Sequence, residues 1–165
     1  MKIAHYIGDH SKDSLSARAG WALTRLAQKG PYEHVTHCEA ILYEFDNGVV
    51  EIGSASLRDG GVRIKQAILN PNHWMIVDVP AWSEIRSRKW FVEHQGVPYD
   101  SRGAWALFLP GSADGSRQFC NKAVGYSAGV VAAETFSPAT FAAMTVTFGS
   151  VITQRFFAQR AHLVT

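Results

Sequence analysis

His34-Val35-Thr36-His37-Cys38-Glu39-Ala40-Ile41-Leu42-Tyr43-Glu44-Phe45-Asp46-Asn47-Gly48-Val49-Val50-Glu51-Ile52-Gly53-Ser54-Ala55 is the stretch that decides the fold. Two runs rich in β-branched and aromatic residues flank Asn47-Gly48, a strong two-residue turn signal, so residues 34–45 and 49–55 read as a β-hairpin. With a two-residue loop, Asp46 pairs with Val49. Glu51 then opposes Glu44, and Ser56 opposes Glu39. Alternation puts Val35, His37, Glu39, Ile41, Tyr43 and Phe45 on one face, and Thr36, Cys38, Ala40 and Leu42 on the other.

Working outward, residues 2–7 read as a strand, as do Val62-Arg63-Ile64-Lys65 after Gly60-Gly61 and Trp74-Met75-Ile76-Val77-Asp78-Val79 before Pro80. A helix is expected over residues 13–29, with Ser14 as cap, Leu15, Trp21, Leu23 and Leu26 as apolar positions, and Gly30-Pro31 as stop. Further helices are expected over residues 82–95, from about residue 101 through Leu107, from Phe119 to about Ala128 before Gly129, from Ser137-Pro138 to about Met144, and over 150–160. Strands come first and helices after. That order predicts an α+β fold with an antiparallel sheet packed against helices, in one domain spanning residues 1–165.

Composition narrows the function classes. Sixteen Lys and Arg against fourteen Asp and Glu give a net charge of +2 over 165 residues, too weak an excess to argue for nucleic acid. No 18-residue apolar run exists, so no membrane span is expected. The opening Met1-Lys2-Ile3-Ala4-His5-Tyr6-Ile7 lacks a signal-peptide apolar region, which predicts a cytoplasmic chain. Two cysteines, Cys38 and Cys120, cannot build a disulfide scaffold; two free thiols are expected, with one disulfide between them as the alternative.

Cys120 is the first candidate for chemistry. It sits near the start of a helix, where unpaired N–H groups and the dipole stabilise a thiolate and an oxyanion. The ordinary alternative is a buried cysteine acting as a small hydrophobe. His37 is the second, a histidine on an otherwise apolar strand face that needs a partner. His34-x-x-His37 has a metal-like spacing, but on a strand the two point to opposite faces and no zinc site is expected. Cys38 adjoins His37 but points away from it, and reads as a packing residue. The group orienting the imidazole is expected to be Glu39, with Ser56 second; the register holds Glu51 roughly 20 Å away.

These segments in order are His34-Val35-Thr36-His37-Cys38-Glu39, Ser56-Leu57-Arg58-Asp59-Gly60-Gly61-Val62-Arg63, Gly96-Val97-Pro98-Tyr99-Asp100, Phe119-Cys120-Asn121-Lys122-Ala123-Val124 and Ser137-Pro138. The series resembles the circularly permuted papain-like superfamily, the NlpC-type cysteine peptidases and amidases in which the His precedes the Cys, and above all small phage and prophage members. The resemblance implies a permuted papain-like fold. It makes Cys120 the nucleophile, His37 the general base and then acid, a polar neighbour the orienting group, and Tyr99 a residue lining the site. Relatives carry Ser-Glu after the Cys where this chain has Asn121-Lys122; a lysine there would support the thiolate directly.

The leading expectation is therefore a cysteine hydrolase that cleaves an amide in a peptide or peptidoglycan stem peptide through a thioester, with no cofactor. Action on cell wall would need lysis or packaging in a virion. A second expectation is a lipid acyltransferase or acylhydrolase of the same superfamily, with Trp21, Trp82, Trp90, Trp105 and Phe108 lining an acyl groove. A third is a phage or prophage structural or interaction protein that keeps the fold without the chemistry.

Overall fold

The structure, a computed structural model, describes residues 1–8, 30–106 and 115–152, with Arg18, Ala22, Thr24–Leu26 and Gln28 between the first two segments. It is α+β. Six strands form one antiparallel sheet: β1 (Lys2–Tyr6), β2 (His37–Glu44), β3 (Val50–Ser56), β4 (Gly61–Ala67), β5 (Trp74–Asp78) and β6 (Ser150–Ile152). Their order across the sheet is β4-β3-β2-β1-β5-β6. The helices are α1 (Glu84–Glu93), α2 (Ser101–Ala106), α3 (Cys120–Ala128) and α4 (Pro138–Phe148), with a short 3₁₀ turn at Ala133–Thr135. The helix expected over residues 13–29 lies largely outside the described residues.

The hairpin forms where Asn47-Gly48 predicts it, but with a longer loop. Phe45 N–H bonds to the Val49 carbonyl at 2.9 Å, and Gly48 N–H to the Phe45 carbonyl at 3.2 Å. That is a three-residue loop: a type I turn followed by Gly48 at φ +80°, a value glycine adopts without strain. A second irregularity between Ile41 and Tyr43 leaves Ala40 opposite Gly53 and Tyr43 opposite Glu51. The register is thus one residue out beside the turn and two residues out around Glu39, where an even shift keeps Glu39 facing the strand face expected for it.

Both faces of the sheet are covered by apolar contacts. On the helix side Ile3, Cys38, Ala40, Leu42, Ala55, Val62 and Val77 pack with Phe91 of α1, Ala123 and Val124 of α3 and Phe141 of α4. Phe91, Phe119 and Phe141 are almost wholly buried, each worth about 1.5–3 kcal/mol of transfer free energy. Gly53 is what lets α1 come this close: a Cβ there would lie 2.6 Å from the Phe91 ring. Gly53→Ala is expected to cost about 1–3 kcal/mol through overpacking. A thermal melt checks it, at about 2–4 °C per kcal/mol for a domain of this size. An unchanged melting temperature would mean that α1 shifts freely on the sheet.

Three helix boundaries follow from their caps. The Ser83 side chain accepts from Arg86 N–H and opens α1. Ser137 does the same for α4 through Thr140 N–H, with Pro138 at the first helical position. Gly129, left-handed at φ 87°, closes α3. α4 runs on to Phe148 rather than stopping at Met144, and the chain then turns back. Ser150–Ile152 pairs with β5, so the last helix expected over 150–160 begins as an edge strand; residues 153–165 lie outside the description. No helix among the described residues is long and apolar enough to cross a membrane.

Candidate active site

Cys120 is the first residue of α3. Its N-cap, Phe119, is extended (φ −121°, ψ 171°) and brings no side-chain acceptor to the helix start. The first-turn N–H groups are left for the site, and the positive end of the helix dipole falls at the thiol. The segment before it is strapped down: Tyr99 bridges to Gln118, Asp100 N–H bonds to the Gln118 carbonyl at 2.8 Å, and Gln118 N–H bonds to the Pro98 carbonyl at 3.1 Å. Gly61 supports this strap from β4, its Cα so close to the Val97 carbonyl that a Cβ would sit 2.0 Å from the oxygen.

His37 opens β2, close enough to Cys120 for each group to shift the other's titration. Its Nε2 stands 2.9 Å from Glu39 Oε1. The Trp74 ring meets the imidazole edge-on, with centroids 6.3 Å apart. Glu39, two residues along the same strand face, is 3% exposed. Its carboxylate is gripped on both oxygens by Arg63, each N···O distance 2.6 Å. Arg63 Nε donates onward to Asp59 Oδ2 at 2.7 Å, and Lys65 donates to the same oxygen at 2.9 Å. The result is a line of alternating charges, from thiol and imidazole through carboxylate and guanidinium to Asp59 and Lys65.

This arrangement moves each titration in the direction catalysis needs. Burial alone would lower the His37 pKa, but hydrogen bonds and charge from Cys120 and Glu39 outweigh it and push it up to about 9. Burial would raise Glu39; the His37 ring and the Arg63 fork bring it down to about 2. The Cys120 thiol lies well below the usual thiol range. The Cys38 side chain contributes most by hydrogen-bonding its sulfur; burial opposes; the His37 charge and hydrogen bond and a Cys38 backbone hydrogen bond add to the lowering. The pair is thus held as thiolate and imidazolium, with Glu39 ionised behind it.

The structure brings Cys120, His37, Glu39 and Tyr99 together. Tyr99 packs against the core cluster that holds both cysteines, and burial, then the charges of Cys120 and Cys38, push its hydroxyl pKa up. Ser56 is a correction. It pairs with Gly61, and its hydroxyl accepts from Asp59 N–H at 3.4 Å, at the far side of the turn. The residue beside Glu39 in the actual register is Ser54, whose hydroxyl donates to the Cys38 carbonyl at 2.7 Å. Glu51 lies opposite Tyr43 and pairs with Arg88 at 2.7 Å, away from His37 as expected.

The two residues after Cys120 are buried. Asn121 donates from Nδ2 to the Phe136 carbonyl, and the Cys120 thiol, when protonated, has Asn121 Oδ1 as acceptor at 3.4 Å. Lys122, expected to support the thiolate directly, donates instead to the Arg117 carbonyl at 2.7 Å. Trp82 and Trp90, candidates for an acyl groove, pack against the helix-side core, Trp82 beside Phe141 and Trp90 stacked on His94 with centroids 4.0 Å apart. Trp21, the Trp105 side chain and Phe108 lie outside the described residues. Among the described residues no three His, Cys, Asp or Glu side chains form a metal-binding group.

Three participants were not foreseen. Cys38 lies in the buried helix-side cluster that also holds Cys120, and the two thiols shift each other's titration. His5, opposite Cys38 on β1, is buried and bonds Thr145 Oγ1 through Nε2 at 2.8 Å. Burial, and then the His37 charge, lower it to about 3, so it is neutral beside the charged pair. Arg63 is the third, and an alternation signal was there: Val62 and Ile64 face the helices, which turns Arg63 to the face that carries Glu39. No known protein family, curated protein or solved structure matches this chain.

Proposed function

We propose that the protein is a cysteine hydrolase that cleaves an amide bond, in a peptide or a peptidoglycan stem peptide, on a permuted papain-like fold. The observation that carries this reading is the His37 imidazole hydrogen-bonded to the buried Glu39 carboxylate and electrostatically paired with the Cys120 thiol, with Cys120 at an uncapped helix start. Burial alone would not produce that arrangement. A core cysteine needs no histidine, and a satisfied core histidine needs no thiol.

Each residue then has a role. With Nε2 bonded to Glu39, Nδ1 is the nitrogen left for Cys120. The thiolate attacks the carbonyl carbon, and the oxygen, now negative, is met by the first-turn N–H groups of α3. His37 gives its proton to the leaving amine as the C–N bond breaks, leaving a thioester on Cys120. The neutral ring then takes a proton from water, which attacks the thioester and frees the acid and the thiol. Glu39 keeps the ring in one tautomer and stabilises its cation. Tyr99 borders the nucleophile and is placed to contact the substrate.

Cys120→Ala is the direct test, on peptides and peptidoglycan fragments screened with the wild-type protein. The expected result is complete loss of cleavage with the melting temperature retained. Full turnover by the variant would remove the nucleophile and the proposal with it.

A further inference from the structure

Two buried side-chain amides to which hydrolysis assigns no role join the helix of Cys120 to the strand of His37. Asn121 follows Cys120 on α3 and is 1% exposed; Gln28 lies ahead of β2 and is 4% exposed. Both reach one short segment, Phe136 to Ala139, at the start of α4. Asn121 donates from Nδ2 to the Phe136 carbonyl, and its Oδ1 stands 3.4 Å from the Cys120 sulfur. Three residues on, Ala139 N–H donates to Gln28 Oε1 at 2.8 Å. Gln28 Nε2 in turn donates to the Val35 carbonyl at 2.9 Å and to the Glu33 carbonyl at 3.2 Å. Val35 is two residues before His37. Thr36, between them, is held to β1 by its N–H bond to the Tyr6 carbonyl at 3.3 Å.

The chemistry of the α4 start calls for an amide at position 28. Pro138 has no N–H, and Thr140 N–H is taken by the Ser137 hydroxyl. Ala139 N–H is the first-turn donor that remains without an acceptor in its own helix. Glu33 and Val35 lie ahead of β2, where their carbonyls need donors that the strand ladder does not supply. One glutamine offers an acceptor to the first and two hydrogens to the others. An apolar side chain of the same size would leave Ala139 N–H and the Val35 carbonyl buried without these partners.

We infer that Gln28 and Asn121 are positioning residues, which with the first turn of α4 form a brace that sets the distance between Cys120 and His37. The inference rests on the Cys–His pair of the proposed function and adds what holds its two halves in register. Apolar packing brings α3 onto the sheet, but it is non-directional and permits small slides. Hydrogen bonds have fixed lengths and angles, so a chain of them does not. The partners of Gln28 are all backbone groups, so it acts through the placement of Val35 and the chain that follows it, not by touching the reacting atoms.

The test reads iodoacetamide labelling of Cys120 across pH in the full chain, with a thermal melt alongside. Gln28→Met keeps the volume and cuts the brace. Gln28→Asn keeps the amide but is one methylene too short to span it. His37→Ala is expected to raise the labelling midpoint; Gln28→Met should move it the same way, and Gln28→Asn less far. Added to His37→Ala, Gln28→Met should shift nothing further, because no imidazole is left to misplace. On any amide that the wild type cleaves, Gln28→Met is expected to lower kcat by about 10²-fold with KM little changed, as a displacement of about 1 Å does. If Gln28→Met does not fold, Gln28→Asn carries the same comparison. Gln28 variants that melt lower yet keep the wild-type midpoint and kcat overturn the inference, and so does a shift of equal size with and without His37. Those results leave the proposed function standing so long as His37→Ala still raises the midpoint. A midpoint indifferent to residue 37 removes the pair itself, and the proposed function and the brace fall together.

Discussion

Replacing His37 with alanine is expected to raise the pH at which Cys120 becomes an alkylatable thiolate, and to slow amide cleavage by about 10²–10⁴-fold. In the wild type the thiolate is present well below the free-thiol value of about 8.5, because Cys38 and the His37 imidazolium both favour it. Removing the imidazole takes away one positive charge and one hydrogen bond. It leaves the Cys38 contacts, so the midpoint moves up without returning fully to an unperturbed value. Iodoacetamide labelling followed across pH, with Cys120 read as its own peptide, measures this. The wild-type rate profile carries a matching signature. The imidazolium persists to about pH 9, so the proton for the leaving amine is available below that value and is lost above it. Cleavage should therefore plateau through neutral pH and decline as pH passes about 9. An alkylation midpoint that ignores residue 37 would dissolve the Cys–His pair, whatever the turnover showed.

The candidate pair was conspicuous in the sequence for a physical reason. A histidine on an apolar strand and a cysteine at a helix start are each locally conspicuous, and strand alternation correctly put Glu39 beside His37. Arg63 was not legible, and one turn together with the irregularity between Ile41 and Tyr43 explains why. Asn47-Gly48 reads as a two-residue loop, whereas Phe45 closes a three-residue one on Val49. That choice set Ser56 opposite Glu39, and Ser56 leads across the sheet to Gly61, which has no side chain to offer. The true register sets Ser54 there, and Ser54 leads across to Arg63. A two-residue slip preserves faces but exchanges partners, so the core survives the error and the polar network does not. Cys38 was misjudged differently. The pleat does turn it from His37, but the helix that carries Cys120 packs on the face to which Cys38 points. β6 escaped because a three-residue edge strand has too little sequence to show a period.

Arg63→Met is expected to cost about 1.5–3 kcal/mol at neutral pH, because it strips the buried Glu39 carboxylate of its guanidinium fork and leaves the His37 imidazolium as its remaining charged partner. The wild-type site fixes the pH dependence. Glu39 titrates near 2 when folded against an ordinary value of 4.5. Its ionised form therefore stabilises the fold above about pH 4.5, and that contribution fades as pH falls towards 2. In the variant, burial acts on a carboxylate that has lost its fork, so its pKa moves up. The protein then takes up a proton at Glu39 where the wild type does not. The deficit between the two should be largest near pH 7 and shrink steadily on acidification. Urea unfolding at pH 7, 5 and 3 measures it. Arg63→Lys restores the charge but not the two-pronged geometry, and should recover only part. Adding Glu39→Gln to Arg63→Met removes the stranded charge and should recover most of the loss, a coupling that two independent residues would not display. A deficit equal at all three pH values would mean that Arg63 contributes through packing alone. The alternating line of charges behind His37 would then be geometry without consequence for the thiolate.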